Sequence, residues 1–589
     1  MSQDFKEPSL DSHTFEHDTE EEKPRGVARI EAIKQTLDKR YILVLILSLY
    51  LCSWTYALDS STTTSYQPYA TSQFNRHSML STLSIANSII GAVCKPFIAK
   101  MSDMTSRAIA YMIILLLYVI GFVVDACSPT ISAYVIGSVF IAIGQSGINL
   151  MNSILVADMT PLKWRATVNG LLSTPYLCTT WVAGYIVQNI TTSNWRWGYG
   201  MFAIITPAAL IPAIGMIFWM DQKINHGTFK FNLRLPQITV LKSKNTLLKI
   251  KEALIEIDAL GLVLLGFAFS LMLLPCSLYS YAKGGWHNPS MIAMEVVGGV
   301  FLIAYCIYEI WIAPYPSLPK RVLLNRTFVC CVIIDFCYQM GGYFWLLYFS
   351  SYNMVVLNLS YKHWTYLNNT ETMGLCSFGV VYGLLFRYFR RYKIFQVIGS
   401  SIRLIGLGLM VHSTKMHNGP SLGVIVAALV LTSIGDCGDV MGTHLAAQAC
   451  VPHVDLATTI SVLSLYSSIG AAVGQAIVAA VWTSNLPKRL TEHVGDATKA
   501  LSYFESVTTI YALPWGSHDR IASIQAYQDV CYKLFCGALG ISFVCLIVTL
   551  FQTNYYLGDG INAVEGEQKE DYNQKWYYYI VDFVKHPLR

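Results

Sequence analysis

Charge is scarce in this sequence. Only 13% of its 589 residues are Asp, Glu, Lys or Arg, where soluble domains average about 25%. A soluble chain of this length would hold about four domains, and 41 Lys+Arg with 36 Asp+Glu could not cover their surfaces. That excludes a soluble enzyme, a disordered protein and a nucleic-acid binder. Metal motifs are missing too: there is no CxxC pair, no HExxH and no His-rich tract, and His13 and His17 stand isolated in an acidic tail. No resident metal or cofactor is expected. The 15 cysteines lie mostly inside apolar runs, as Cys52, Cys94, Cys178, Cys306 and Cys376 do, and read as small hydrophobes rather than a disulfide framework. No cleavable signal peptide is visible: residues 1–40 are polar, so the run starting at Tyr41 is expected to act as an uncleaved anchor.

Long apolar runs are abundant instead. They fall near 41–58, 77–98, 108–126, 131–156, 167–189 and 198–220, then near 254–280, 291–313, 328–350, 366–386, 394–412, 421–445, 457–483 and 531–552. Fourteen spans of about 20 residues fill close to half the chain. The fold class is an all-α membrane protein. The expected organisation is a tail 1–40, a six-helix set 41–220, a basic linker 221–253, an eight-helix region 254–552 with a long loop 484–530, and a tail 553–589. In the first tail, Ile30, Ile33 and Leu37 share a helical face, which reads as an interfacial helix or as a solvated leader.

Cations alternate between loops. One set holds Lys100 and Arg107; Lys163 and Arg165; seven cations from Lys223 to Lys251; Lys320, Arg321 and Arg326; and Arg387, Arg390, Arg391 and Lys393. The opposite loops before the last hold single cations: Arg76, Arg196, Lys283, Lys362 and Lys415. The positive-inside rule then places both termini in the cytoplasm, with an even number of spans. Sequons at Asn189, Asn358 and Asn368 fall on or near the outside loops, as glycosylation would require.

Between the second and third spans stands Lys100-Met101-Ser102-Asp103-Met104-Thr105-Ser106-Arg107. It resembles the loop that marks the major facilitator superfamily, with Ser106 where a glycine is usual. Asp103 can cap a helix start and pair with a cation such as Arg107, forming a conformational latch; a solvated loop with an ordinary cap is the plainer reading. Longer strings resemble the fungal siderophore-iron transporters, a 14-span branch of that superfamily. They are Gly26-Val27-Ala28-Arg29-Ile30-Glu31, Tyr56-Ala57-Leu58-Asp59 with Tyr69-Ala70-Thr71-Ser72 and His77-Ser78, and Asn194-Trp195-Arg196-Trp197-Gly198 before Gly200-Met201. Further ones are Ser317-Leu318-Pro319 with Arg326-Thr327, Gln448-Ala449 through His453 to Asp455-Leu456-Ala457, and Gly470 to Gly474 followed by Trp482 and Leu486-Pro487. The Gly-Pro-rich fifth-span signature of related drug exporters is not reproduced at Ser173-Thr174-Pro175 and Gly184. The resemblance implies a major facilitator fold with a central cavity and import of a ferric siderophore together with protons.

Carboxylates inside a bilayer are costly and mark functional candidates: Asp59, Asp125, Glu295, Glu309, Asp335, Asp436 and Asp439. Asp59, Thr62, Thr63 and Tyr66 share a helical face if the first span continues as a helix, with Pro68 then ending or kinking it; otherwise Asp59 caps a loop. Tyr69 follows close by. Asp335, Tyr338, Gln339 and Gly342 share another face, lining a cavity or bonding a neighbouring helix. Asp436 and Asp439 lie at i and i+3 with His444 beyond; they share a proton or pair with a cation such as Arg403. The substrate-binding candidates are therefore Asp59, Thr63, Tyr66, Tyr69, Asp335, Tyr338 and Gln339. Asp59, Asp335, Asp436 and Asp439 are the proton-coupling candidates. In the loop 484–530, Tyr503, Tyr511 and Tyr527 cover a substrate vestibule or are buried in an ordinary folded loop. A hydroxamate chelate already surrounds its iron with hard oxygen ligands, so the protein needs aromatic contacts and hydrogen bonds, not iron ligands. Haem import, glutathione exchanged for protons, and a non-transporting nutrient receptor are the rivals. None of these signals encodes an oligomeric state.

Overall fold

The computed structural model describes residues 39–73, 80–193, 195–225, 251–252, 254–255, 257–279, 282–314, 320–415, 421–558, 560 and 563. The expected interfacial helix, most of the linker and most of the last tail lie outside these residues. The described chain is built from helices: α1 Lys39–Gln73, α2 Leu80–Met104, α3 Arg107–Cys127, α4 Ile131–Met159, α5 Leu162–Ser173, α6 Pro175–Ser193 and α7 Trp195–Asn225. Then follow α8 Ala259–Leu273, α9 Pro289–Ile307, α10 Arg326–Leu346, α11 Thr370–Phe389, α12 Lys393–Ser413, α13 Leu422–Ala449, α14 Leu456–Val494 and α15 His518–Phe551.

Thirteen helices among the described residues are long and apolar enough to cross a membrane. The predicted fifth span is divided. Pro175 has no N–H to continue the helix and its ring crowds the preceding turn, so α5 stops at Ser173 and α6 restarts. Taken together, α5 and α6 occupy the fourteenth position. Outward faces carry large apolar side chains, such as Leu116, Ile204 and Ile303, each more than 60% exposed. In water such a surface would aggregate; in lipid it is the solvent-matched face. This is a multi-pass membrane protein.

In the first six spans α1 packs on α6 and α7, α3 on α4 and α7, and α2 on α4. In the last six, α10 packs on α14 and α15, α12 on α13 and α15, and α11 on α13. The sets meet where α2 packs on α14 and α5 on α11. Glycine makes the second seam close: a Cβ at Gly170 would stand 2.8 Å from the Gly379 backbone, and one at Gly383 2.6 Å from Thr167 Cα. Helices α8 and α9 pair with each other, and α8 also leans on α2.

Two boundaries differ from the sequence reading. The segment 484–530 is mostly helix: α14 runs on to Val494, α15 begins at His518, and 497–505 and 507–511 are short helices between them. Its polar, aromatic composition looked like a loop because these helix ends project beyond any hydrocarbon layer: 39 residues make α14 about 58 Å long, against a core of about 30 Å. Likewise Pro68 does not end α1, which stays helical to Gln73.

Candidate functional site

Three clusters of buried polar groups form inside the helices. The first belongs to the first set. Asp59 is fully buried and accepts hydrogen bonds from Thr63 on its own helix, from the Tyr118 hydroxyl of α3, and from Gln145 Nε2 of α4 at 2.8 Å. The helical continuation of α1 is what aims Asp59 and Thr63 inward; the cap reading is overturned. All three donors are neutral. Thr62 bonds back to its own helix instead, at the Leu58 and Asp59 carbonyls. The side chains of Tyr66 and Tyr69 lie outside the description.

The second cluster belongs to the last set and centres on a cation. Arg403 of α12 is 1% exposed; its Nε lies 2.8 Å from Asp436 Oδ1 and its Nη1 3.7 Å from Asp439 Oδ2. Ser400 donates to Asp439 as well. The guanidinium stacks over the Tyr338 ring at 4.5 Å and Nη2 donates to the Tyr338 carbonyl at 3.3 Å. Asp436 and Asp439 thus pair with Arg403, as one of the two sequence readings has it. Glu371 of α11, absent from the sequence candidates because it sits at the polar edge of its span, lies beside Asp436.

The third cluster lies where the two sets meet. Asp335 Oδ2 stands 3.6 Å from His444 Nε2 of α13. Gln339 and His444 keep part of their surface open, and a Cβ on Gly342 would meet nothing within 4 Å. Lys95, a cation in the middle of α2, donates across the seam to Ser468 Oγ of α14 at 2.8 Å and to the Ser464 carbonyl at 3.2 Å. Sequence reasoning missed Lys95, though the rule that singled out the buried acids applies to any charge inside a span.

The other acids are scattered. Asp125 is buried against Ser138, 3.2 Å away, while Glu295 is exposed on α9. Among the loop tyrosines, Tyr503 is buried and donates to Asp519 Oδ2 at 2.9 Å; burial first, and then that bond, push its phenol above the usual range. Tyr511 donates to the Leu359 carbonyl at 2.9 Å, and Tyr527 is buried edge-on against Trp482, ring centroids 5.3 Å apart. All three are engaged in packing.

At the end of the bundle that carries residues 103–107, Arg107 Nη1 lies 2.6 Å from Asp103 and Nη2 3.2 Å from Asp158 of α4. Asp103 and Arg107 are therefore paired, with Asp158 as a third partner. The cap of α3 is not Asp103 but Ser106, whose hydroxyl accepts from Ile109 N at 3.3 Å; a hydroxyl at that position takes the capping task and leaves Asp103 to the arginine. The same end joins the two sets. Arg387 of α11 stacks over Trp164 of α5 at 3.8 Å, and the strap after α15 crosses beneath both. Its Gly560 and Gly558 carbonyls accept from Leu162 N at 2.9 Å and Lys163 N at 3.3 Å. Leu557, fully buried, donates its N–H to the Arg390 carbonyl at 3.0 Å, and Tyr392 donates to the Thr553 carbonyl. Of the sequons, Asn358 is exposed, Asn368 Oδ1 accepts from Asn353 at 3.0 Å, and the Asn189 side chain lies outside the description.

Comparison with known proteins places these clusters in context. The sequence pattern of the Major Facilitator Superfamily matches residues 49–475. The chain is 46% identical to the Low affinity heme transporter str3 of Schizosaccharomyces pombe over 92% of its own length and 88% of that protein. It is 38% identical to the Siderophore transporter fer7 of Mycosarcoma maydis, covering 92% and 85% of the two chains. It is 30% identical to the Siderophore iron transporter 1 of Schizosaccharomyces pombe, covering 91% and 86%.

Proposed function

The chain belongs to the fungal siderophore-iron transporter family of the major facilitator superfamily, and from that premise we propose that it imports iron held in an organic chelate, a ferric siderophore or haem, together with protons. Similarity along 92% of the chain to carriers named for these two cargoes is the observation that carries the reading. Siderophore import was the expectation from the sequence strings; haem stands beside it because the relative at 46% identity is named as a heme transporter.

The geometry supports a division of labour. Asp59 and Asp335 are the proton-carrying acids, because no fixed cation of a described residue pairs with either one. A carboxylate among neutral donors, or facing an imidazole, can gain and lose a proton without stranding a permanent charge. Asp436 and Asp439 face Arg403 and serve the packing of the last set. Gln339 flanks the space by which cargo passes, Tyr338 packs on Arg403, and the tyrosines 503, 511 and 527 hold the outer helical cap together. Asp103, Arg107, Asp158 and the strap close the opposite end, which the loop cations place in the cytoplasm with both termini. The plasma membrane is the proposed site of action, an endosomal or vacuolar membrane being the alternative, with the exposed Asn358 available to carry a glycan on the side away from the cytoplasm.

Uptake of radiolabelled iron as a ferric siderophore and as haem, in cells deleted for their own carriers, tests the reading. Accumulation that a protonophore abolishes is expected. Binding without accumulation in sealed proteoliposomes would instead describe a receptor.

A further inference from the structure

Lys95 stands in the middle of a helix otherwise apolar enough to cross the membrane. A cation at that depth is costly unless something compensates it. Its two hydrogen-bond partners, Ser468 Oγ and the Ser464 carbonyl, are neutral and belong to the other set of helices. Among the described residues Lys95 forms no ion pair. Asp335 is near enough to act on it through space, yet that carboxylate is turned to His444. Arg403, a buried cation within the last set, is matched by two carboxylates. Arg403 is thus neutralised by contact, whereas Lys95 has neutral acceptors.

The surroundings of Lys95 are open. Lys95 itself, Ser464 and Ser468 keep part of their surface accessible, as do Gln339 on the Asp335 face and His444, whose side chain is 34% exposed. Serine acceptors are exchangeable: an arriving anion can take the ammonium from Ser468 and gain a charge-assisted bond that the hydroxyl cannot match. We infer that Lys95 is the anion receptor of the transport path and that it takes a carboxylate carried by the cargo. This rests on the reading of the chain as an iron-chelate importer and narrows it. A ferric trihydroxamate with no other ionisable group offers Lys95 nothing, whereas a chelate with a free carboxylate, or haem with its propionates, fills it. Because Lys95 bridges the two sets, capture of the carboxylate also breaks the bond to α14, which couples loading to relative movement of α2 and α14.

Two matched pairs of probes test this: N-succinyl against N-acetyl ferrioxamine B, and haem against its dimethyl ester. Each pair differs in its carboxylates and keeps its iron site. Both uptake into cells and binding to the purified protein in lipid nanodiscs are measured, for wild type, Lys95→Gln, Lys95→Met and Lys95→Arg. Wild type should prefer the carboxylate member of at least one pair by about tenfold, the scale of one charged hydrogen bond. Gln and Met should reduce that ratio to within about twofold, and Arg should keep most of it. A ratio unchanged in both neutral variants, or no preference in wild type, overturns the inference. Preference in binding without any uptake keeps the Lys95 site and sinks the importer; uptake without preference does the reverse. Thermal melting of each variant shows whether a lost ratio reflects lost folding, and a neutral variant (Gln or Met) that melts like wild type yet keeps the ratio counts against the site.

Discussion

The first and last sets of helices each bury acids deep in the membrane, but they satisfy them by opposite means. In the first set Asp59 sits among Thr63, Tyr118 and Gln145, all neutral. In the last set Asp436 and Asp439 are held by Arg403, itself packed on Tyr338. At the end that carries residues 103–107 the two sets differ in another way, and there it is the first set that uses a permanent cation. The loop between α2 and α3 is held from within the first set, by the Ser106 cap and the Asp103–Arg107–Asp158 bridge. The corresponding loop between α11 and α12 has no side-chain cap on α12, turns through a left-handed Arg390, and leans on the strap after α15. A permanent cation fixes charge where structure needs it, while neutral donors leave an acid free to change state. On the proposed reading, the first set and Asp335 carry the proton chemistry and the Arg403 cluster gives rigidity.

The largest expected effect comes from removing the clamp. Arg403→Leu strands two buried carboxylates and should cost about 3–5 kcal/mol, read as a large fall in the denaturation midpoint of the purified protein. Adding Asp436→Asn and Asp439→Asn should restore part of it. An Arg403→Leu protein as stable as wild type would break the comparison outright. Next is the strap. Leu557→Ala empties a fully buried site and should cost roughly 2–5 kcal/mol, while the paired loop of the first set, held by its own contacts, keeps its protection in hydrogen exchange. Equal loss of protection in both loops would show that the strap serves the two alike.

The spans and their alternation were legible because lipid imposes local rules, a run of apolar residues and a loop of cations. Asp59 was legible for the same reason, as a charge where charge is dear. The partners were not. Tyr118 lies 59 residues from Asp59 and Gln145 lies 86 away; each is an uncharged polar residue in a long apolar run, with no periodicity to mark it. Asp335 and His444 meet across helices α10 and α13, and the strap joins Gly560 to Leu162; nothing local announces either contact. The loop 484–530 misled because helices that leave the membrane lose the apolar signature by which spans are counted. Lys95 is legible by the same rule, as a charge inside an apolar span.

The two smallest effects sharpen the comparison within the first set. Asp59→Asn keeps shape and should fold, yet it removes the group proposed to carry the proton. Accumulation driven by a proton gradient should fall about tenfold, equivalent to about 1.4 kcal/mol, while Asp439→Asn should lower stability more than coupling. If Asp439→Asn abolishes proton dependence and Asp59→Asn does not, the two sets have been assigned the wrong way round. The last case is Ser106, which stands where the family usually has glycine. Its hydroxyl caps α3 at Ile109 N, so Ser106→Ala should cost about 1 kcal/mol, whereas Ser106→Gly should cost only a few tenths because glycine tolerates the cap backbone and lets water reach the freed N–H. Here φ is −155°, an extended value open to any residue, so glycine gains nothing from its left-handed freedom. Equal losses for Ala and Gly in thermal melting would mean that Ser106 contributes through the Asp103–Arg107 bridge beside it rather than as a cap.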